Sequence, residues 1–233
     1  MILLKVCVVT GGSKGIGKEI AKEFLKNGYA VVSTYNNTLP FEQGIDYVKC
    51  NVSRSEDILN FSKYTISNYG KVDVLVNNAG ISISGLVQDN SEDDFDSLFD
   101  VNMKSVFLFS KAFIPSMISR KFGRIINISS MWGVNGAANE SLYSASKGAV
   151  ISYTKSLAKE LGPSGITVNS ICPGAIKTDM LNAYTKEDLE DLRQNTPVLR
   201  LGTPEDIAKL AYFLSTASFI TGQIITADGG FSL

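Results

Sequence analysis

Histidine is absent from all 233 residues, which excludes a histidine-based catalytic triad and any His-rich metal site. A catalytic proton must therefore come from another side chain. Cysteine is scarce: Cys7, Cys50 and Cys172 lie far apart, each inside or beside an apolar run, with no Cys-x-x-Cys pair. They read as buried packing residues of a reducing compartment. No run approaches the ~20 apolar residues that span a bilayer, and the opening Met1-Ile2-Leu3-Leu4 meets Lys5 before a short Val-rich run, the pattern of a strand. The expected location is the cytoplasm, with no membrane partner. An excess of positive charge is missing too, since 22 basic residues are balanced by 23 acidic ones. That leaves no broad positive field for nucleic acid and no polybasic segment for an anionic membrane.

What is present is a long α/β pattern. With 44% hydrophobic residues, the chain can bury one large core, and 1–233 reads as a single domain. Apolar, β-rich runs recur at 5–9, 30–34, 47–50, 72–76, 124–128, 167–171 and 223–226. Between most of them lie segments of helical period, at 17–26, 55–68, 93–119, 141–161 and 204–214. Strands nearly continuous in Val and Ile, alternating with helices, imply a doubly wound parallel seven-stranded sheet covered on both faces by right-handed crossovers. Between Asn36 and Asp46, Pro40, Gly44 and paired Asn replace the helical pattern, so that crossover is expected to be a short loop.

Two local features carry chemistry. Directly after the first strand comes Thr10-Gly11-Gly12-Ser13-Lys14-Gly15-Ile16-Gly17, followed by an amphipathic helix with Ile20, Ala21, Phe24 and Leu25. Glycines at 11, 15 and 17 suit a tight turn whose backbone approaches a pyrophosphate at a helix N-terminus. The spacing is Gly-x-x-x-Gly-x-Gly, which differs from the Gly-x-Gly-x-x-Gly of Rossmann dinucleotide sites, although the strand-to-helix placement is the same. The second feature is Tyr143-Ser144-Ala145-Ser146-Lys147. On a helix, Tyr143 and Lys147 share one face, and an ammonium beside a phenol favours the phenolate and lowers its pKa. Tyr143 is thus a candidate to exchange a proton with a carbonyl or alcohol.

Taken together, five signals stand in one order: the glycine loop, Asn77-Asn78-Ala79-Gly80, Asn102 in a long helix, Ser130 thirteen residues before Tyr143 with Lys147, and Pro173-Gly174 with Thr178. In that order the chain resembles the single-domain branch of the short-chain dehydrogenase/reductase family over essentially its whole length. The resemblance implies a Rossmann fold and a nicotinamide-dependent oxidoreductase. It also implies a catalytic set: Ser130 holds the substrate oxygen, Tyr143 is the general acid in reduction, Lys147 binds the nicotinamide ribose and lowers the Tyr143 pKa, and Asn102 joins a proton relay. No metal is required. By the same carry-over the cofactor is held by Gly11, Ser13, Lys14, Gly15, Ile16, Gly17, Asn36, Asn51, Val52, Asn78, Ala79, Gly80, Tyr143, Lys147, Pro173, Gly174, Ile176 and Thr178. Substrate is expected at Ser130, Trp132, Tyr143 and Met180, under a lid at about 178–200.

Cofactor choice turns on charge. No carboxylate lies between Ser33 and Asn37 to bind a ribose 2′-hydroxyl, and Lys14 sits inside the phosphate loop, as in family members that use NADP(H). NADP(H) is expected, with NAD(H) open, because Asn36, Asn37 and Asn51 stand where the family usually has a basic residue and an Asp. The phrases 199–208 and Asp228-Gly229-Gly230 look most like 3-oxoacyl-[acyl-carrier-protein] reductases, enzymes of fatty-acid biosynthesis. Ser164 replaces an Arg usual in them, so docking of an acyl carrier protein, for which Lys121 and Arg124 are candidates, stays open. The alternatives are a dehydrogenase of a sugar, polyol or other small secondary alcohol, and a non-catalytic dinucleotide-binding redox regulator. Apolar residues on several faces of the helices at 93–119 and 141–161, Phe107, Leu108, Phe109, Ile151 and Leu157 among them, need cover beyond one sheet face, and the resemblance implies that they pair across a two-fold axis in a homotetramer or homodimer.

Overall fold

The computed structural model describes residues 4–40 and 42–233, so Met1 to Leu3 of the opening run lie outside the described residues. All seven β-rich runs form strands: β1 Val6–Val9, β2 Ala30–Tyr35, β3 Ile45–Lys49, β4 Val74–Asn77, β5 Gly123–Ile128, β6 Ile166–Pro173 and β7 Ile224–Ala227. They make one sheet in the order β3-β2-β1-β4-β5-β6-β7, every neighbouring pair parallel. Parallel pairing demands a crossover each time. Helices α1 Gly15–Lys26, α2 Ser55–Tyr69, α3 Glu92–Phe99, α4 Ser105–Arg120, α5 Trp132–Asn135, α6 Ser141–Leu161, α7 Lys186–Gln194 and α8 Pro204–Thr216 supply all but one. The exception is the loop between β2 and β3, as the residues there predict.

The two-residue period of the strands divides the core. Cys7 and Val9, with Val74, Val76 and Ile126, pack on Ile20 and Phe24 of α1 and on Ile207, Ala211 and Leu214 of α8. Val6, Val8, Leu75 and Ile125 point the other way, onto Ile58 and Phe61 of α2, Phe109, Phe113 and Met117 of α4, and Leu157 and Leu161 of α6. All three cysteines are buried and free, as packing residues should be. Helix starts are fixed locally: Ser91 with Asp94, Thr185 with Asp188 and Thr203 with Asp206 form capping boxes, the last with Pro204 at the first helical position. Among the described residues no helix is long and apolar enough to cross a membrane.

One departure concerns the helix expected over 93–119. It is interrupted at Asp100–Lys104 by a π-helical turn that carries the fully buried Asn102. A π turn adds a residue without changing residue type, so the hydrophobic period conceals it.

Because every strand runs the same way, all their carboxyl ends lie along one edge. Strand order reverses between β1 and β4, so their following loops diverge and leave a crevice there.

Candidate active site

The glycine loop opens this crevice. Gly11 and Gly15 have φ of +67° and +55°, a left-handed backbone that a side chain would strain. A Cβ on the buried Gly17 would run into the Gly11 carbonyl oxygen and the Asn78 amide, so only backbone fits. The loop is fastened from β4: Asn78 and Ala79 donate their N–H groups to Thr10 Oγ1 at 2.9 and 3.0 Å. Asn78 Nδ2 donates to the carbonyls of Thr10 and Gly11 at 2.9 and 3.2 Å. The Asn78 side chain therefore faces the loop rather than a ribose, because two unpaired carbonyls of the turn claim its amide.

The remaining positions carried over for the cofactor line the same edge. Ser13 is half-buried and Lys14 exposed; Ile16 packs its apolar side into the core. A Cβ on Gly15 would lie 3.3 Å from Thr178 Cγ2, so the two loops face each other. Asn36 is exposed just past β2. Asn51 Oδ1 accepts from the N–H and hydroxyl of Ser53, at 3.1 and 2.9 Å, which turns the chain into α2, while Val52 packs against the core. Gly174 donates its N–H to the Ala227 carbonyl at 3.1 Å after Pro173 ends β6, and Ile176 is buried. Lys14 is not free: its Nζ donates to Asp179 Oδ2 at 3.2 Å.

Tyr143 and Lys147 lie one turn apart on α6, both buried, with Lys147 Nζ 5.8 Å from the Tyr143 ring centroid. Ser130, also buried, follows β5 and is close enough to lower the Tyr143 phenol pKa. Its Oγ accepts from the Trp132 N–H at 3.2 Å. Ser129 differs, donating its hydroxyl to the Lys147 backbone carbonyl at 2.8 Å, a packing bond between β5 and α6. Lys147 Nζ donates to the Ile128 carbonyl at 3.0 Å. Gly80 stands between them and Asn102. A Cβ there would be 3.2 Å from both Lys147 Nζ and Asn102 Oδ1.

Two expectations need correction. The Tyr143 phenol is pushed up to about 12, first by burial, with Ser130 lowering it and the Glu140 charge raising it. Lys147 is itself brought down to about 8 by burial. Desolvation therefore governs both groups, and the phenol moves up where the sequence expects it to move down. Asn102 is also committed: its Oδ1 accepts from Ile81 N–H at 2.9 Å, and its Nδ2 donates to the Ile81 carbonyl at 2.9 Å and Ser146 Oγ at 3.0 Å. Its side chain holds the loop after β4 and leaves no donor for a relay.

Trp132 is half-buried at the start of α5, edge-on to Phe231 with centroids 5.7 Å apart. Met180 is exposed on the short 3-10 turn Asp179–Ala183. The sequence reading overlooked Glu140. This buried acid accepts from Ser82 Oγ at 2.9 Å and Ser84 Oγ at 2.7 Å, three residues before Tyr143. In sequence it is only an acid at a helix start.

A family model described as Enoyl-(Acyl carrier protein) reductase matches residues 11–232. The 3-oxoacyl-[acyl-carrier-protein] reductase FabG of Vibrio cholerae is 37% identical over 235 residues, 97% of this chain and 96% of that one. The enzyme of the same name from Thermotoga maritima is 35% identical over 238 residues, 97% of each. Among solved structures, ElxO with NADP bound superposes with a TM-score of 0.90 at 34% identity, covering 98% of both chains. Ligand-free Thermoplasma acidophilum aldohexose dehydrogenase does so with 0.93 at 33%, covering 98% of this chain and 94% of its own. With the parallel seven-stranded sheet, the backbone-only glycine loop and the buried Ser130, Tyr143 and Lys147 cluster already in place, these matches assign the chain to the short-chain dehydrogenase/reductase family of oxidoreductases.

Proposed function

We propose that the chain is an NADP(H)-dependent reductase that converts a ketone to a secondary alcohol, with a 3-oxoacyl thioester as substrate. The observation that carries it is the burial of Tyr143, Ser130 and Lys147 together, with Ser130 near enough to act on the phenol; two such donors can serve one carbonyl oxygen. A phenol at about 12 is fully protonated near neutrality, the form a proton donor to a ketone must have. Tyr143 gives that proton to the substrate oxygen, and Ser130 orients the oxygen. The 3-oxoacyl substrate is supported by the FabG relatives, and the sugar or alcohol alternative by the aldohexose dehydrogenase neighbour.

The residues present fit a dinucleotide, because Gly12 and Gly17 have no room for a side chain and no side chain caps the start of α1, whose N–H groups can meet a pyrophosphate. Ser13, Gly15, Ile16 and Gly17 would face the phosphates, Lys14 a 2′-phosphate, Asn36, Asn51 and Val52 the adenosine. Ala79, Gly80, Lys147, Pro173, Gly174, Ile176 and Thr178 would enclose the nicotinamide half. When bound, the nicotinamide supplies the hydride. The segment 178–200, with exposed Met180, acts as the lid, and Trp132 forms a wall of the substrate site.

The carrier-protein contact proposed at Lys121 and Arg124 does not survive in full. Arg124 is buried, donates to the carbonyls of Gly123 and Gly165 at 2.7 and 3.2 Å, and stacks on Phe122 with its Cζ 4.5 Å from the ring centroid. It also starts β5, the opposite sheet edge from Ser130.

Purified protein is expected to oxidise NADPH, and NADH more weakly, with a short 3-oxoacyl thioester. Silence with the thioester while simple sugars or alcohols turn over would replace the substrate reading. The Lys14 to Asp179 pair is solvent-exposed and weak, so an anionic 2′-phosphate can displace Asp179. Lys14→Ala should cut the NADPH over NADH preference in kcat/KM by about tenfold, the loss of one charge-assisted contact. An unchanged preference would remove Lys14 from cofactor selection. Phe107 on α4 stays exposed, which supports burial against a second copy. The expected solution mass is that of a homotetramer or homodimer, and a monomeric mass would overturn it.

A further inference from the structure

Glu140, Tyr143 and Lys147 stand three and four residues apart, one stripe along the start of α6. The loop before them is tightly turned: Gly136 has φ of +73° and Asn139 +61°, and the Asn139 carbonyl accepts from the Gly85 N–H at 2.7 Å. That turn directs the Glu140 carboxylate inward, onto the hydroxyls of Ser82 and Ser84 in the loop after β4. Two hydroxyl donors hold a carboxylate but do not neutralise it. Among the described residues no Lys or Arg forms an ion pair with it. Its negative charge acts on Tyr143 of α6 and on Tyr184, just ahead of α7 in the segment read as a lid. Asp188 of α7 acts on Tyr184 with the same sign. The nearby cation, Lys147, is held by the Ile128 carbonyl and keeps its charge, which is the same whether residue 140 is an acid or an amide.

We propose that Glu140 is a specificity-determining residue that rejects anionic ketones, the free 3-oxo acids, in favour of neutral 3-oxo esters and thioesters at the same oxygen. The proposal rests on the ketone-reductase reading above and deepens it. A substrate carboxylate entering beside Ser130 and Tyr143 would meet a buried like charge in a low-dielectric cleft, where such juxtaposition is costly. An ester or thioester at the same carbon brings no charge and keeps its carbonyl for Ser130 and Tyr143.

The test compares acetoacetate with ethyl acetoacetate, using NADPH and the full chain. The wild type should favour the ester, and Glu140→Gln should raise the acid-to-ester ratio of kcat/KM about tenfold, because the amide keeps the shape and removes the charge. A variant carrying both Ser82→Ala and Ser84→Ala loosens the clamp but keeps the carboxylate, so its ratio should stay with the wild type. An unchanged ratio in Glu140→Gln, or an equal rise in the double serine variant, would overturn the proposal. If the wild type reduces neither ketone, the reductase reading fails separately. Glu140 is then judged by binding, followed through fluorescence of Trp132, the chain's single tryptophan. An acid-to-ester ratio of Kd that is the same in wild type and Glu140→Gln would end the proposal there too.

Discussion

Tyr143→Phe should lower kcat by about 10³-fold while NADPH still binds, since general acid catalysis contributes on that scale and the ring itself is kept. Tyr143 and Ser130 are both buried, so no bulk water stands ready to replace the phenol as donor. The rest of the ring rests on the α6 stripe and continues to pack. Steady-state turnover with the best ketone, beside calorimetric titration of NADPH, separates the two effects. Loss of both together would mean that the phenol holds the site's shape. A variant retaining a tenth or more of wild-type turnover would pass the donor role to Ser130 or water.

Lys147 should make the protein more stable as pH rises above 8, an unusual direction for a lysine. Its ordinary value of 10.5 applies to the unfolded chain, and burial brings the folded value to about 8. Below about pH 8 both states carry the proton, and the folded state bears the full cost of a buried ammonium. Between about 8 and 10.5 the folded protein sheds the proton and the unfolded chain keeps it, so the unfolded state binds more protons and unfolding free energy climbs. The full span is on the order of 3 kcal/mol. Tyr143 works in the opposite sense above pH 10, where the unfolded phenol ionises and the folded one, at about 12, does not. Urea unfolding at intervals between about pH 7 and 11 should show a rise and then a fall. Lys147→Met should flatten the rise, and Tyr143→Phe should lessen a fall that Tyr47, Tyr69 and Cys50, also pushed up to about 12 by burial, share. A wild-type curve with no Lys147-dependent rise would mean that the ammonium is solvated.

Much of this architecture is legible in the chain. The Val- and Ile-rich runs become strands within a few residues of their expected limits, because a strand buried on both faces has no other composition open to it. The helix at 141–161 matches at both ends, and the loop after β2 is short because Pro40, Gly44 and the paired Asn cannot sustain a helix. The glycine loop and the Ser130, Tyr143 and Lys147 set are also local, since each sits where a strand stops or a helix begins.

What stays hidden in sequence is the company each polar side chain keeps. Asn78 and Asn102 look like free amides, yet both are spent on backbone of the loops after β1 and β4. Arg124 looks solvated and is buried. Glu140 looks like a helix-start acid and is buried against Ser82 and Ser84. The sequence by itself determined the layering and the sheet edge along which the glycine loop and the Ser130, Tyr143 and Lys147 cluster lie, because hydrophobic period and turn chemistry act over a few residues. Only the tertiary structure decided protonation: desolvation depends on what distant segments cover, and it raises the Tyr143 phenol that a neighbouring ammonium alone would lower.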